Sequence, residues 1–346
     1  MILQNDLGNM PVTIKDVAKR LKLSVTTVSR ALDGYDDVAA KTRERVIRVA
    51  RDMGYAPSRA ARQLRRQKTE AIGYIMPTIK PRFADPFFSE FIAGLGDEAA
   101  SRNFDLVVSL APPGEEAERA VYQRWVQGRR VDGIVLSRMR IDDWRVRYLS
   151  DSKFPFVAFG RTQLPIDFPH VGVDGESGMR ELVAHLIERG HRRIAFVSAP
   201  ADLTLQVDRM SGYRSGLAVG GIPVDETLIV EGNLTRDGGH HAAQQLLSLA
   251  KPPTAIIGAN DLTAIGVMRA AHERGLVVGR DLAVAGFDGI ESAEHTHPPL
   301  TTLNQPVYDI GRQLIQMLIT LIEGGTLAER QIVLKPELII RASTGG

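Results

Sequence analysis

The sequence predicts a small all-α helix-turn-helix head joined to a larger α/β body of two doubly wound parallel-sheet lobes. Three observations carry this. Up to about residue 55 the apolar residues recur with helical spacing. From Ala71 onward short apolar runs alternate with helical patterns, the order that calls for parallel strands covered by helices on both faces. The charge is also split. Within a chain of 346 residues and net charge +2, residues 1–70 hold 15 Lys and Arg against 8 Asp and Glu, a net +7, which leaves the remainder at −5. A basic head on a mildly acidic body points the head at a polyanion; a solvated, charged helical domain is the plainer reading.

The head elements follow in order. Thr13 stands before the first run with Asp16 three residues on, the form of a capping box. Ile14, Val17, Ala18 and Leu21 fall at i, i+3, i+4 and i+7, one apolar helix face. After a break at Leu23-Ser24, a second helix turns Val28, Ala31 and Leu32 inward and Thr26, Thr27, Ser29 and Arg30 outward, and Asp33-Gly34 stops it. Val46, Val49, Ala50 and Met53 mark a third helix, closed by Gly54 with Pro57 beyond. Two short helices across a tight turn, with a third closing the core, make a helix-turn-helix. The second helix is thin and rich in hydroxyls, so it can sit deep in a major groove and reach phosphates and base edges. Arg30 has the fork that fits guanine O6 and N7. A three-helix bundle without a ligand is the competing reading.

In the body the predicted strands are Ala71–Met76, Leu106–Leu110, Gly133–Leu136, Phe156–Phe159, Ile194–Val197, Leu228–Glu231, Ala255–Gly258 and Leu282–Gly286. Helical patterns such as Phe88–Ala100, Gly178–Arg189, Asp208–Val219, Gly238–Leu249 and Leu262–Arg274 lie between them. The order repeats: AIGYIMP matches RIAFVSAP in form, VDGIVLS matches TAIIGAN, and PFVAFGR matches LAVAGFD. Two similar α/β halves therefore lie in tandem, changing near Pro165–Val171. Ligands in such sheets bind outside the C-terminal strand ends, and two facing lobes would line one cleft with them.

Several function classes are excluded or disfavoured. The chain has no cysteine, which removes disulfides, thiolate metal sites and a thiol nucleophile. No apolar run reaches the ~18 residues of a membrane span, and MILQNDLGNM has neither the basic nor the apolar region of a secretory signal. No G-x-x-x-x-G-K-[ST] occurs and no G-x-G-x-x-G follows the first strand, where PTIKPRFADPFF stands instead. His240-His241 and His295-x-His297 are the histidine clusters, read as exposed side chains rather than a metal site. No enzyme activity, cofactor or metal is expected.

The segment TIKDVAKRLKLSVTTVSRALDGYDDVAAKTRERVIRVARDMGYAPSRAARQL resembles the N-terminal region of the LacI/GalR family of transcription regulators, continuously over some fifty residues. The resemblance implies that Val25 and Thr26 open the recognition helix, with Arg30 one turn later. It implies phosphate contacts at Ser24, Thr27 and Ser29, and adds Thr13 to the DNA-binding set. Tyr55-Ala56-Pro57-Ser58 leads to the family's hinge helix, Arg59 to Leu64, where Ser58, Arg59, Ala61 and Arg62 are DNA contacts. Two turns are too short for an isolated helix in water, so two copies would stabilise each other over the minor groove. Leu64 matches the family's wedge, pushed between central base pairs to kink the duplex. Family chains begin just before this segment, so residues 1–10 are expected to be a disordered extension.

The body resembles the family throughout, most closely over TAIIGANDLTAIGVMRAAHERGLVVGRDLAVAGFDGIESAEHTHPPLTTLNQP, with a fold shared with periplasmic sugar-binding proteins. The implied division is 11–57 for the helix-turn-helix, 58–70 for hinge and linker, and 71–341 for a two-lobed effector-binding and dimerisation domain. The first lobe is expected near 71–168 and 305–328, the second near 169–304 and 329–341. The chain crosses between them three times, with the Val307–Glu323 helix returning to the first and Ile332–Ile340 pairing with the second. Implied effector contacts are Asp85, Phe87, Phe88, Ser137, Arg138 and Arg161 from the first lobe, and Arg209, Leu234, Asn260 and Asp288 from the second. Carboxylate, amide and guanidinium groups fork sugar hydroxyls, and Leu234 departs from the ring-stacking aromatic often found at its place. The reading is thus a homodimeric DNA-binding regulator, in the cytoplasm and on the nucleoid when bound. It represses from a palindromic operator and is released by a small carbohydrate. A purine or nucleoside corepressor and a transport solute-binding protein are the alternatives. The C-terminal Arg341-Ala-Ser-Thr-Gly-Gly carries no leucine heptad tail, so dimers are expected.

Overall fold

Three helices form the head: α1 (Ile14–Leu21), α2 (Val25–Leu32) and α3 (Ala40–Asp52). The computed structural model describes residues 12–55, 68–77, 85–110 and 114–345. It divides into two compact units, Met1–Lys68 and Thr69–Gly346. Asp16 closes the start of α1 by accepting from the Thr13 backbone N–H at 2.9 Å and from its hydroxyl at 2.7 Å. Ser24 caps α2, its Oγ accepting from Thr27 N at 3.0 Å. Lys22, at φ 55, takes the left-handed position that ends α1 and makes the tight turn. Val17, Ala18, Leu21, Val28, Ala31, Val38, Val46 and Ala50 bury their side chains as one cluster, so the three helices define one another's orientation.

The body holds β1 (Ala71–Met76), α4 (Pro86–Ser101), β2 (Asp105–Leu110), α5 (Glu115–Gln127), β3 (Gly133–Leu136), α6 (Trp144–Asp151), β4 (Phe156–Phe159) and β5 (His170–Val173). It continues with α7 (Gly175–Glu188), β6 (Ile194–Ser198), α8 (Thr204–Val219), β7 (Ile229–Glu231), α9 (Arg236–Leu246), β8 (Ala255–Gly258), α10 (Asp261–Glu273) and β9 (Ala283–Asp288). The last elements are α11 (Glu291–Glu294), β10 (Thr301–Asn304), α12 (Val307–Ile322), β11 (Gln331–Leu334) and β12 (Glu337–Ile339). The strands make two sheets, in the orders β11-β5-β4-β3-β1-β2 and β12-β10-β9-β8-β6-β7. The orders coincide when β1 is matched with β6, β3 with β8 and β4 with β9, the three sequence pairs read as an internal repeat. Within the described residues each sheet is parallel except where β12 meets β10. Both faces of each sheet are covered, as parallel sheets require. In the first lobe Tyr74, Phe91 and Leu314 fill one side, Trp125, Ile134 and Leu149 the other.

The division of the lobes differs from the one expected. Strand β11 pairs with β5 in the first sheet, Gln331 opposite His170 and Leu334 opposite Val173. Only β12 joins the second sheet, with Leu338 opposite Leu303. Ile332–Ile340 is therefore shared between the sheets, and His170–Val173 belongs to the first lobe rather than the second. Ile332 and Leu334 turn toward the first core while Gln331 and Val333 face outward. The crossings fall after Val173, after Asn304 and after Leu334. At the last, Pro336 occupies the space a side chain on Gly178 would need, so only glycine lets the chain pass so close to α7. Helix α12 returns to the first lobe against α4. Their backbones touch because Gly94 and Gly311 face each other's helices with no side chain.

Candidate nucleic-acid interface and effector cleft

In the head, α2 buries Val28, Ser29 and Ala31 and exposes Val25, Thr26 and Arg30. Val25 is 42% exposed at the first position of the helix, an apolar group where a thymine methyl could be met. Arg30 is held but not buried. Its Nε donates to Asp37 at 3.2 Å, its Nη2 lies 2.6 Å from the same carboxylate, and the guanidinium stacks on Tyr35 at 5.0 Å. An exposed pair of this kind contributes about 0–1 kcal/mol, less than the ~1–3 kcal/mol of a bidentate guanine contact. The fork is thus oriented yet available. Ser24 and Thr27 share a hydroxyl hydrogen bond of 2.8 Å at the same end of the helix. Thr13 is exposed at the start of α1, its hydroxyl given to Asp16. Ser29 corrects the expected phosphate set: it is 4% exposed and donates to Asp33 at 3.2 Å, so it braces the C-terminal end of α2. The expected contacts Ser58, Arg59, Ala61, Arg62 and Leu64 lie outside the described residues.

In the body, the C-terminal strand ends of both sheets face a cavity of about 310 Å³. Asp85 caps α4 by accepting from Phe87 N at 3.2 Å. Its other oxygen is 3.4 Å from Arg138 Nη2. Ser137 shares a 2.8 Å hydrogen bond with the buried Tyr74 hydroxyl. From the second lobe, Arg209 donates to Ala259 O, lies 3.4 Å from Asp288 Oδ1 and stacks on Phe287 at 3.7 Å. Asn260 caps α10, accepting from Thr263 N at 3.0 Å and donating to Leu234 O at 3.3 Å. One amide N–H of Asn260 is left for a ligand. Arg138, Leu234 and Asp288 line this cavity with φ of 48, 61 and 122. Left-handed backbone at non-glycine residues costs of order 1–3 kcal/mol and collects at functional sites.

Most of the expected effector residues come together here: Asp85, Phe87, Ser137, Arg138, Arg161, Arg209, Leu234, Asn260 and Asp288 all line the cavity. Phe88 does not. It is 7% exposed within the first core, with Arg138 stacked on its ring at 5.0 Å, so it supports the guanidinium from behind. Two residues went unnoticed in the sequence. Gln305 donates to Asp288 Oδ1 at 2.7 Å from the second crossing segment. Asp261 accepts from Ile290 N at 2.9 Å and from the Thr302 hydroxyl, fixing the turn after Asp288. The T-L-N-Q-P run at the end of β10 was the signal for Gln305; nothing local marks Asp261. The lobes also touch beside the cavity. Ile141 N donates to Asp202 O at 2.9 Å, Thr204 N to Met139 O at 2.9 Å, and Arg161 pairs with Asp208.

Burial dominates the electrostatics. It pushes the Asp288 carboxyl up to about 8, with the Asp261 and Asp85 carboxylates adding to the rise and Arg209 and Arg138 opposing it. Asp261 is pushed to about 6 and Asp85 is raised, again by burial. From the ordinary value of 3.8 to about 8 the folded body holds a proton on Asp288 that the unfolded chain has lost. Stability from this group therefore falls as pH rises through that window and levels off above it. Melting profiles of parent and Asp288→Asn between pH 5 and 9 should show the parent losing stability relative to the variant as pH rises. Parallel profiles would show that Asp288 is charged throughout.

Residues 13–58 match the family model "Bacterial regulatory proteins, lacI family", and residues 183–344 match "Periplasmic binding protein-like domain". The HTH-type transcriptional regulator AglR of Rhizobium meliloti is 36% identical, over 97% of this chain and 95% of its own. The HTH-type transcriptional repressor CytR of Escherichia coli is 34% identical, over 96% of each chain. Among solved structures, the transcriptional regulator CelR in complex with cellobiose is 33% identical, with TM-score 0.74 over 96% of this chain and 99% of that one. The lac repressor dimer bound to operator and the anti-inducer ONPF is 29% identical, with TM-score 0.84 over 97% and 99%. Among the described residues no helix is long and apolar enough to cross a membrane.

Proposed function

This chain belongs to the LacI family of bacterial regulatory proteins, and we propose from that footing that it binds a palindromic operator as a homodimer and releases it when a sugar enters the cleft. It is a DNA-binding transcriptional regulator and not an enzyme. The observation that carries the operator half of the proposal is α2, whose exposed face offers Val25, Thr26 and Arg30 inside the 13–58 match. One helix-turn-helix covers a half-site, and two-fold symmetry doubles it over a palindrome. Leu64 serves as the minor-groove wedge between the half-sites, and the protein works in the cytoplasm on chromosomal DNA.

The sugar half rests on cleft chemistry. Asp85 and Arg138 of the first lobe face Arg209 and Asp288 of the second across one cavity. A ligand that touches both sets stabilises one relation of the lobes by its differential affinity for it. Coupling of about 1–3 kcal/mol changes operator affinity about 5–150-fold. Lobe movement would separate the paired hinge segments and withdraw the wedge.

Two measurements test the operator half. With the +7 head, log affinity for a selected duplex should fall linearly with log salt, at a slope of about −0.9 per phosphate contacted. Arg30→Ala should weaken each half-site by roughly 1–3 kcal/mol and relax base preference at one symmetric pair of positions. Salt-independent binding contradicts the first expectation, and an unchanged selected sequence for the variant contradicts the second.

A further inference from the structure

Resting on the effector-cleft reading, we propose that Arg145, a buried residue that does not line the cavity, is a positioning residue for the effector response. Together with Asp143 it fixes the segment from Arg138 to Ile141, which both carries Arg138 into the cleft and latches the first lobe to the second.

Arg145 is 1% exposed near the start of α6, and Asp143, the cap of that helix, is fully buried. The guanidinium donates to both oxygens of Asp143, Nε to Oδ1 at 2.9 Å and Nη2 to Oδ2 at 2.6 Å. Glu118 of α5, also buried, lies 3.7 Å from its Nη1 and accepts from Arg140 Nη2 at 2.8 Å. Three charges drawn out of water into one place contribute little net stability, because desolvation offsets most of their attraction. What such a cluster can do is hold the chain around it in one conformation.

The remaining hydrogen bonds show which segment is held. Arg145 Nη2 also donates to Arg138 O at 3.0 Å, and Asp143 Oδ2 accepts from Arg140 N at 2.9 Å. The backbone is thus tied on both sides of Met139. Arg138 itself is at φ 48, a left-handed conformation that persists at a non-glycine residue only where the surroundings over-determine it. From there its guanidinium lines the cavity 3.4 Å from Asp85.

Met139 and Ile141 make the latch. Met139 O accepts from Thr204 N and from the Thr204 hydroxyl, both at 2.9 Å, and Ile141 N donates to Asp202 O at 2.9 Å. Arg140 and Leu203 stand opposite each other as an antiparallel bridge between the lobes. Ile141 O accepts from Gln163 N at 3.0 Å and from the Thr162 hydroxyl at 2.7 Å, which anchors the far end of the segment in the first lobe. Met139, Thr204 and Leu205 line the cavity together with Arg138. A ligand in the cleft therefore meets the same segment that joins the lobes, and Arg145 keeps contact and latch preorganised from behind.

The test is amide hydrogen exchange on the full chain without ligand, read by mass spectrometry, for the parent, Arg145→Lys and Asp143→Asn. Lysine keeps the buried charge but has no fork to hold Asp143 and the Arg138 carbonyl together. Asparagine keeps an acceptor for the start of α6 and leaves Arg145 beside Glu118, but gives up the second carboxylate oxygen that holds Arg140 N. In both variants the Ile141 and Thr204 amides should exchange about tenfold faster, as the loss of one restraining hydrogen bond implies, with β3 and α5 unchanged. Thr204 belongs to the second lobe, so loosened packing in the first does not by itself reach it. Unchanged exchange at Ile141 and Thr204 overturns the proposal. Faster exchange spread through β3 and α5 makes Arg145 a stabiliser of its lobe alone and overturns it too. Should Arg145→Lys fail to fold, Asp143→Asn decides. Calorimetric titration with glucose, galactose, maltose, cellobiose, trehalose and sucrose adds the functional readout. A sugar that binds the parent should bind Arg145→Lys about fivefold or more weakly, and equal affinity overturns the proposal. Absence of binding by every sugar to the parent overturns the sugar reading itself and leaves the exchange rates to decide the role of Arg145.

Discussion

Arg209→Ala should abolish the response of operator binding to sugar while the unliganded variant still binds its operator. Arg209 is 6% exposed, and its guanidinium joins the Ala259 carbonyl, Asp288 and the Phe287 face at one point of the cleft. Removing it takes away a charged donor and leaves the Asp288 carboxylate buried without its cation, an arrangement that costs about 3–5 kcal/mol. Protonation relieves part of that cost, since burial already holds Asp288 up to about 8. Effector affinity should still fall more than about a hundredfold, since the charged donor at the centre of the cleft is lost. The head folds around its own cluster and does not use Arg209. Operator titrations with and without sugar, on parent and variant, check this; a variant that responds at the parental sugar concentration removes Arg209 from the effector site.

Leu64→Ala should lower operator affinity about tenfold or more and reduce bending of the duplex, with sugar affinity unchanged. An apolar wedge stabilises an unstacked base step that otherwise costs a few kcal/mol, and alanine is too short to fill it. Circular-permutation gels with parent and variant read the bend directly. Equal bending by both would leave Leu64 as a linker residue and move the specificity back to α2.

How far the sequence could be read depended on how local each feature is. The head was legible because its helices are set by spacing and caps within eight to thirteen residues of one another. Ser29 was misplaced because it sits three residues before Leu32, at the margin of the apolar stripe, where a short helix leaves the facing undecided. The alternating β11 run announces a strand with one buried face, but either sheet could take it. The choice is settled by pairing with His170–Val173, far away in the chain. Phe88 follows the same logic: adjacent aromatics on α4 point to different places, Phe87 to the cavity and Phe88 to the core. Asp261 fixes the Asp288 turn through Ile290 and Thr302, contacts that exist only once β9, β10 and α10 have assembled.

The most direct test of the account is one titration: operator duplex, selected in vitro from random sequence, against the purified full chain, without and with a saturating sugar that binds the cleft. The account predicts retardation of the palindrome that weakens about 5–150-fold when the sugar is present. Operator affinity that is unchanged, or tightened, by every sugar that binds the cleft would contradict it.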